Sequence, residues 1–456
     1  MRQHADLTQP AAHESALYDI PSREAMPGGW SSRQGAINQR SAHAETRTRF
    51  DADRDSRPHN ATIYNCKGAN FANYMNISNP VFAVAVTLLA FLAIRITFVF
   101  EGKRPPPMRF ATINGLRGYL ALFVMLHHAC MWFVLVQTGK WDVPRPNLYG
   151  PLGQASVLLF FMITSFLFYD KLLNARERRF DWKGFFIGRF FRIAPLYYVV
   201  LIFVFLTVAY LSDWRVVDSL QVISLAVAKW ILFTIPTAAP LNANPDSWII
   251  MAGVTWSLRY EWCFYLALPL ISLAVGQRPG WLLLLVSVTA LIVGWRIGLN
   301  IRFSAVFLGG ILAAYLVRDL RFTQFCGKKL ASVLVLLCLA TALQFDNLLQ
   351  IAPCIALIAA FCLIAGGASM FGLFSLPTSY RLGELAYGIY LIHGIVLFAM
   401  VNLFVGKNVV ADMSVPTYWV FVTVLALVTL ALSGMAYHYV EKPGIALGKK
   451  LGKRST

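Results

Sequence analysis

The sequence predicts an all-α, polytopic membrane protein, and three observations carry that expectation. Apolar runs of 16 to 23 residues recur between positions 81 and 437, long enough to cross a hydrocarbon layer about 30 Å thick. Of 456 residues, 57% are hydrophobic and only 14% charged, with a mean hydropathy of +0.58. A water-soluble chain of this size could not cover itself with so little polar surface. The basic residues, finally, gather in short segments between the apolar runs and in the tail "GKKLGKRST", as cytoplasmic loops do. That distribution accounts for the net charge of +18 without nucleic acid, which is not expected as a partner.

Residues 1–79 are polar, rich in Arg, Asp, His, Ala and Ser, and without sustained periodicity; they read as a disordered extension. No n-region followed by an early apolar core occurs there, so they are not read as a secretory signal. Asn60 and Asn76 head Asn-x-Ser/Thr triplets, which matter only in a secretory compartment. Segment 80–107 follows as an extra transmembrane anchor and linker, with Met108 as a natural starting point for the rest. The expected membrane domain is 108–443, and 444–456 a basic cytoplasmic tail.

Within that domain ten spans are expected, at about 116–136, 152–168, 192–211, 256–275, 281–299, 303–317, 330–345, 349–366, 383–405 and 415–437. A further run, 220–235, is short and carries Lys229. Charge asymmetry decides its reading. With the basic loop from Lys171 to Arg189 inside, Arg318, Arg321, Lys328, Lys329 and the C-terminal lysines also fall inside only if 220–235 does not cross. It is therefore expected to be re-entrant or to lie at the outer interface, with Lys103, Arg104 and Arg109 cytoplasmic. The seven cysteines show no metal spacing such as CxxC, and neither a disulfide framework nor a metal is expected.

The stretch "INGLRGYLALFVMLHHACMW" (113–132) carries an arginine and two adjacent histidines in an apolar run. The step from Arg117 to His128 is eleven residues; at about 100° each this is three turns plus roughly 20°, so both side chains share one helix face. His127 sits about 80° away by the same measure. The rise is about 16 Å, which places Arg117 near the cytoplasmic boundary and His128 somewhat past the midplane. His128 is the better functional candidate. An arginine this close to the surface can also simply snorkel, and a buried histidine bonded to a neighbouring helix is ordinary.

From about 110 to 443 the chain resembles the acyltransferase family 3 membrane proteins. "GLRGYLALFVMLHHA" is similar to the family's first-helix signature, whose arginine and histidine fall on Arg117 and His128. "VLLFFMITSFLFY" (157–169) is similar to the family's FFxISGFL segment, with Thr164 and Ser165 where Ser-Gly is usual, which removes a close-packing glycine. "GRFFRIAPLYYVV" (188–200), "TWSLRYEWCFYLALPL" (255–270), "RFSAVFLGGILA" (302–313), "LAYGIYLIHGIV" (385–396) and "YHYVEKP" (437–443) follow in family order.

The resemblance implies transfer of an acetyl or other acyl group from acyl-coenzyme A to a hydroxyl, often of a glycan. Such a transfer needs a base for the hydroxyl proton, donors for the oxyanion and a grip on the donor. His128 is the expected general base; an acyl-imidazole is the alternative. Arg189 and Arg192, three apart on a helical turn, form with Arg117 a clamp for the cofactor's phosphates, unless they only mark topology. Glu261, a carboxylate in an apolar run, has three open roles: orienting His128, binding the acceptor, or pairing with Arg259. Ser257, Tyr387, Tyr390 and His393 are candidates for the acceptor channel, with caps or packing as the plainer roles. His438, Glu441 and Lys442 are expected at the membrane interface. The expected setting is the plasma (inner) membrane, the expected partners a lipid bilayer and a glycan-type acceptor, and the oligomeric state is left open. A multi-span transporter, with Arg117, His128 and Glu261 as a substrate or proton path, is the competing class; no inverted repeat favours it.

Overall fold

In a computed structural model of the chain, the residues described are 77–101, 109–143, 148–235 and 238–453. The expected polar extension (apart from its last three residues) and the linker with Lys103, Arg104 and Met108 lie outside them. Every named regular element is helical, and one isolated β-bridge joins Leu241 and Asn244.

Helix α1 (Pro80–Glu101) covers the expected N-terminal apolar segment. It is followed by α2 (Ala111–Thr138), α3 (Tyr149–Asn174), α4 (Trp182–Leu211) and α5 (Leu220–Ile231), then a 3₁₀ turn (Ser247–Met251), α6 (Trp256–Ser272), α7 (Trp281–Arg296), α8 (Ile301–Leu316) and α9 (Leu320–Cys326). The chain continues through α10 (Lys329–Ala342), α11 (Ile351–Gly366), α12 (Pro377–Ala399), α13 (Lys407–Ala411), α14 (Val415–Ala436) and α15 (Lys442–Lys453), with π-helical turns at Met400–Phe404 and Tyr437–Glu441.

Among the described residues, six helices are long and apolar enough to cross a membrane, or seven if α8 and α9, bent by 106° at their junction, form one span. The apolar runs expected at 281–299, 330–345 and 349–366 fold as shorter helices of 16, 14 and 16 residues. The apolar runs there outlast the helices. Gly298, at φ +76°, and the Asn300 side chain, capping Arg302 N–H at 2.9 Å, interrupt the chain between α7 and α8 although their neighbours are apolar. Segment 220–235 holds only the 12-residue α5, capped by Ser219. At 1.5 Å per residue that is about 18 Å, too short to cross alone.

The centre of the molecule is α2 packed on α12. The two run parallel: Tyr119 meets Ser379 (2.8 Å) near their starts and His128 meets His393 (3.0 Å) farther along. Glycines permit the close approach. A Cβ on Gly118 would clash with Leu382, and one on Gly383 with the carbonyl oxygen of Asn114. On the other side of α2, Thr164 and Ser165 stand in α3 without the family's glycine, yet the tight packing is kept. Gly310 of α8 supplies it, lying directly against Ser165 and the carbonyl oxygen of Met162. The bundle's basic end is tied by Asp170, 4% exposed, which pairs with Arg109 (3.0 Å) and Arg318 (2.9 Å).

Candidate active site

Helices α2, α3, α4, α6 and α12 enclose a cavity of about 390 Å³ in the bundle. Its walls bring together Arg117, Arg189, Arg192, Glu261, Ser257, Tyr387 and Tyr390. Seven of the nine sequence candidates thus share one space, and the other two, His128 and His393, form a pair beside it.

Arg117 has no hydrogen bond or ion pair within bonding distance among the described residues. Arg189 lies over the Phe168 ring at 4.7 Å, a cation–π contact. Arg192 pairs with Glu441 at 3.1 Å, and the glutamate side chain is fully buried. Glu441, expected at the membrane interface, thus has its side chain turned into the protein. The helix does not end at the EKP motif; it continues through a π-helical turn into α15, which lies along α4. The tail expected from 444 onward is, over its described residues, this helix.

Glu261 receives hydrogen bonds from Tyr265 Oη (3.2 Å) and Thr164 Oγ1 (3.3 Å). Neither His128 nor Arg259 bonds it among the described residues; Arg259 instead turns back to the carbonyl of Trp256. Tyr387 donates to the carbonyl of Ile193 (2.7 Å), tying α12 to α4. The hydroxyls of Ser257 and Tyr390 lie 2.7 Å apart, and both reach the carbonyl of Val254. This pair closes the end of the cavity nearest the histidines.

His393 stands one turn beyond Tyr390, ring centroids 6.3 Å apart. Its Nδ1 lies 2.9 Å from the carbonyl oxygen of Ile389 and its Nε2 3.0 Å from Nδ1 of His128. A carbonyl only accepts, so His393 donates from Nδ1; in the neutral pair its Nε2 then accepts from His128 Nδ1. That leaves the lone pair of His128 on Nε2. His127, on another face of α2, bonds the carbonyl of Tyr149 at 3.0 Å and packs against Gly153. The two adjacent histidines meet edge-on, ring centroids 4.9 Å apart, but bond to different helices, His127 to α3 and His128 to α12. Trp141 stacks on His128 at 6.2 Å and meets Trp248 edge-on at 5.7 Å.

The site draws in Tyr265 and Trp141, which the sequence reading did not single out, and Glu441, which it named but without a partner. A carboxylate directly following the apolar α14 was the available signal for Glu441; the two aromatics carried none among 63 aromatic residues (12 Trp, 18 Tyr and 33 Phe).

The acyltransferase domain of family 3 matches residues 110–438. The chain is similar to Nodulation protein 10 of Rhizobium leguminosarum bv. viciae, 26% identical over 387 positions, covering 74% of this chain and 94% of that protein. No solved structure matches. With the family's domain spanning most of the chain and apolar helices forming the bundle around the cavity, the protein belongs to acyltransferase family 3 and is a membrane acyltransferase.

Proposed function

We propose that this acyltransferase moves an acetyl or other acyl group from acyl-coenzyme A, taken up from the cytoplasmic side, to a hydroxyl of a glycan-type acceptor. The observation that carries the reading is the cavity in which three arginines and one carboxylate converge, closed at one end by the Ser257–Tyr390 pair beside the His128–His393 dyad. A polyanionic donor fits such a wall, because guanidinium groups bind phosphate bidentately and keep their charge when partly dehydrated.

In the reaction, the acceptor oxygen attacks the thioester carbonyl carbon while His128 Nε2 takes the hydroxyl proton. The hydroxyls of Ser257 and Tyr390, in the cavity wall next to the His393 ring, are suited to the oxyanion once they turn from Val254. Collapse breaks the carbon–sulfur bond, and the departing thiolate receives the proton from His128. By the rise of α2, Arg117 stands about 16 Å below His128, so its role lies with the donor and not with the reacting carbon. Glu261, held by Tyr265 and Thr164, faces the same donor space.

The parallel run of α2 and α12 supports the topology in which 220–235 does not cross, since an even number of crossings from α2 to α12 returns the chain to the same side. Ten core spans agree with that parity, and the proposed reading sets basic loops and C-terminus in the cytoplasm at a plasma (inner) membrane. Family membership removes the ground of the transporter alternative.

Purified protein given radiolabelled acetyl-coenzyme A and crude cell-surface glycan tests the proposal. Acceptor-dependent release of free coenzyme A with label in the glycan is expected. Intact protein that never consumes the thioester, with any acceptor offered, would refute it.

A further inference from the structure

The cavity is not the only cationic space at this end of the bundle. A groove of about 430 Å³ lies outside it, between the first turns of α4 and the face of α15, and shares Arg189, Arg192 and Ile445 with the cavity wall. Its further charged lining comes from Lys171 at the end of α3, Lys449 and Lys453 on α15, and Asp181. Asp181 is engaged as the cap of α4, accepting from Gly184 N–H at 2.8 Å, and Arg192 is balanced by Glu441. Lys171, Arg189 and Lys449 leave the groove positive.

Glycines spaced four apart set α15 against α4 along the groove. Gly444, Gly448 and Gly452 share one face of α15. A Cβ on Gly444 would come within 2.9 Å of Pro195, one on Gly448 within 2.7 Å of Phe191, and one on Gly452 within 3.4 Å of Gly184. Close contact along that face fixes α15 lengthwise on α4, so Lys449 is carried to a set place on the rim. On the opposite wall, a Cβ on Gly188 would meet nothing within 4 Å. The groove is open there, directly beside Arg189. Residues 444–453 lie beyond the family-matched segment 110–438.

We propose that this groove is the binding site for the adenosine bisphosphate portion of the acyl donor, with Lys171 and Lys449 contacting its phosphates. Arg189 and Arg192, which line both spaces, meet the phosphates at the junction, and the pantetheine arm runs on into the cavity. The inference rests on the reading of acyl-coenzyme A as donor and adds to it a nucleotide site built by the C-terminal helix. The same phosphate chemistry could be met by an anionic lipid headgroup, and the experiment separates the two.

Full-length protein in nanodiscs of purely zwitterionic phosphatidylcholine is titrated with adenosine 3′,5′-bisphosphate, and KM for acetyl-coenzyme A is measured in the same discs. The variants are Lys171→Gln, Lys449→Gln, Gly188→Phe, which fills the open floor, and Lys450→Gln, which changes the same charge away from the groove. Charged hydrogen bonds of the ordinary strength predict a rise in Kd and KM of about tenfold for each groove lysine, with kcat retained. Gly188→Phe should raise both further, and Lys450→Gln neither. Unchanged KM in all three groove variants, in an enzyme that does consume the thioester, overturns the nucleotide site and leaves the donor assignment standing. Nucleotide binding absent from phosphatidylcholine discs, with the groove variants altering only retention of added phosphatidylglycerol, assigns the groove to lipid and also overturns it. Wild-type protein that neither binds the nucleotide nor consumes the thioester refutes the donor reading and the groove together.

Discussion

Nδ1 of His128 lies 3.0 Å from Nε2 of His393, although the two residues are 265 positions apart in the chain. Because His393 is itself bonded through Nδ1 to the carbonyl of Ile389, the pair has one consistent neutral arrangement, with the free lone pair on His128 Nε2. In the proposed reaction His393 is a positioning residue that helps to select the tautomer of His128.

The first prediction concerns that selection. His393→Ala should lower kcat by about 10²-fold, the lower end of what a positioned base contributes, with little change in KM for the donor. His393→Gln, whose amide oxygen can accept from His128 Nδ1, should recover much of the loss. Equal rates for the two variants would show that the contact only packs the helices.

Acid should stop the reaction. A base works unprotonated, so kcat falls as pH is lowered through the titration of His128 and levels off above it. The pH profile of kcat measures this, and in His393→Gln its midpoint should move, because the hydrogen-bond partner of His128 Nδ1 has changed. A flat profile over the range in which the protein stays folded would contradict the assignment.

The Arg192–Glu441 pair makes a prediction about stability separate from rate. Glu441→Ala strands a guanidinium that is only 18% exposed, and breaking such a pair costs about 3–5 kcal/mol. Thermal unfolding in detergent should show a large drop in Tm. The double change to Arg192→Met with Glu441→Met should recover part of that Tm while leaving the donor bound weakly, since Arg192 also lines the cavity.

Gly383→Ala tests the register of α2 on α12. The added methyl meets the carbonyl oxygen of Asn114, and forced overpacking of this kind costs about 1–3 kcal/mol. Activity per folded molecule should fall as well, because the same contact sets the height of His393 against His128. Gly434→Ala on α14, where a Cβ would meet nothing within 4 Å, is the matched control and should change neither.

How far the sequence could be read follows from the range of each signal. The shared helix face of Arg117 and His128 is a local property, fixed by helical periodicity within eleven residues, and it pointed to the histidine that bonds to His393 of α12. Glu261 was visible as a charge in an apolar run, but its partners Tyr265 and Thr164 were not, because hydroxyls in such runs are common and carry no charge. The partner of Arg192 was hidden for another reason. Glu441 sits where an apolar span runs out, and a carboxylate there reads as surface until α15 folds back along α4. That turn depends on the Gly444, Gly448, Gly452 spacing, too short a repeat to register against the apolar runs. The end of α7 was placed three residues late because hydropathy continues past Arg296 to Gly298 and Asn300, which interrupt the chain before α8.

The most direct test of His128 as the base is to compare it with its neighbour. In His128→Ala and His127→Ala, purified in equal folded amounts, acceptor-dependent release of coenzyme A is measured at saturating donor. Loss of about 10²- to 10⁴-fold in His128→Ala, with kcat largely kept in His127→Ala and only its Tm reduced, is the result predicted here. Equal loss in both, or a His128→Ala enzyme that still transfers the acyl group at the wild-type rate, would contradict it.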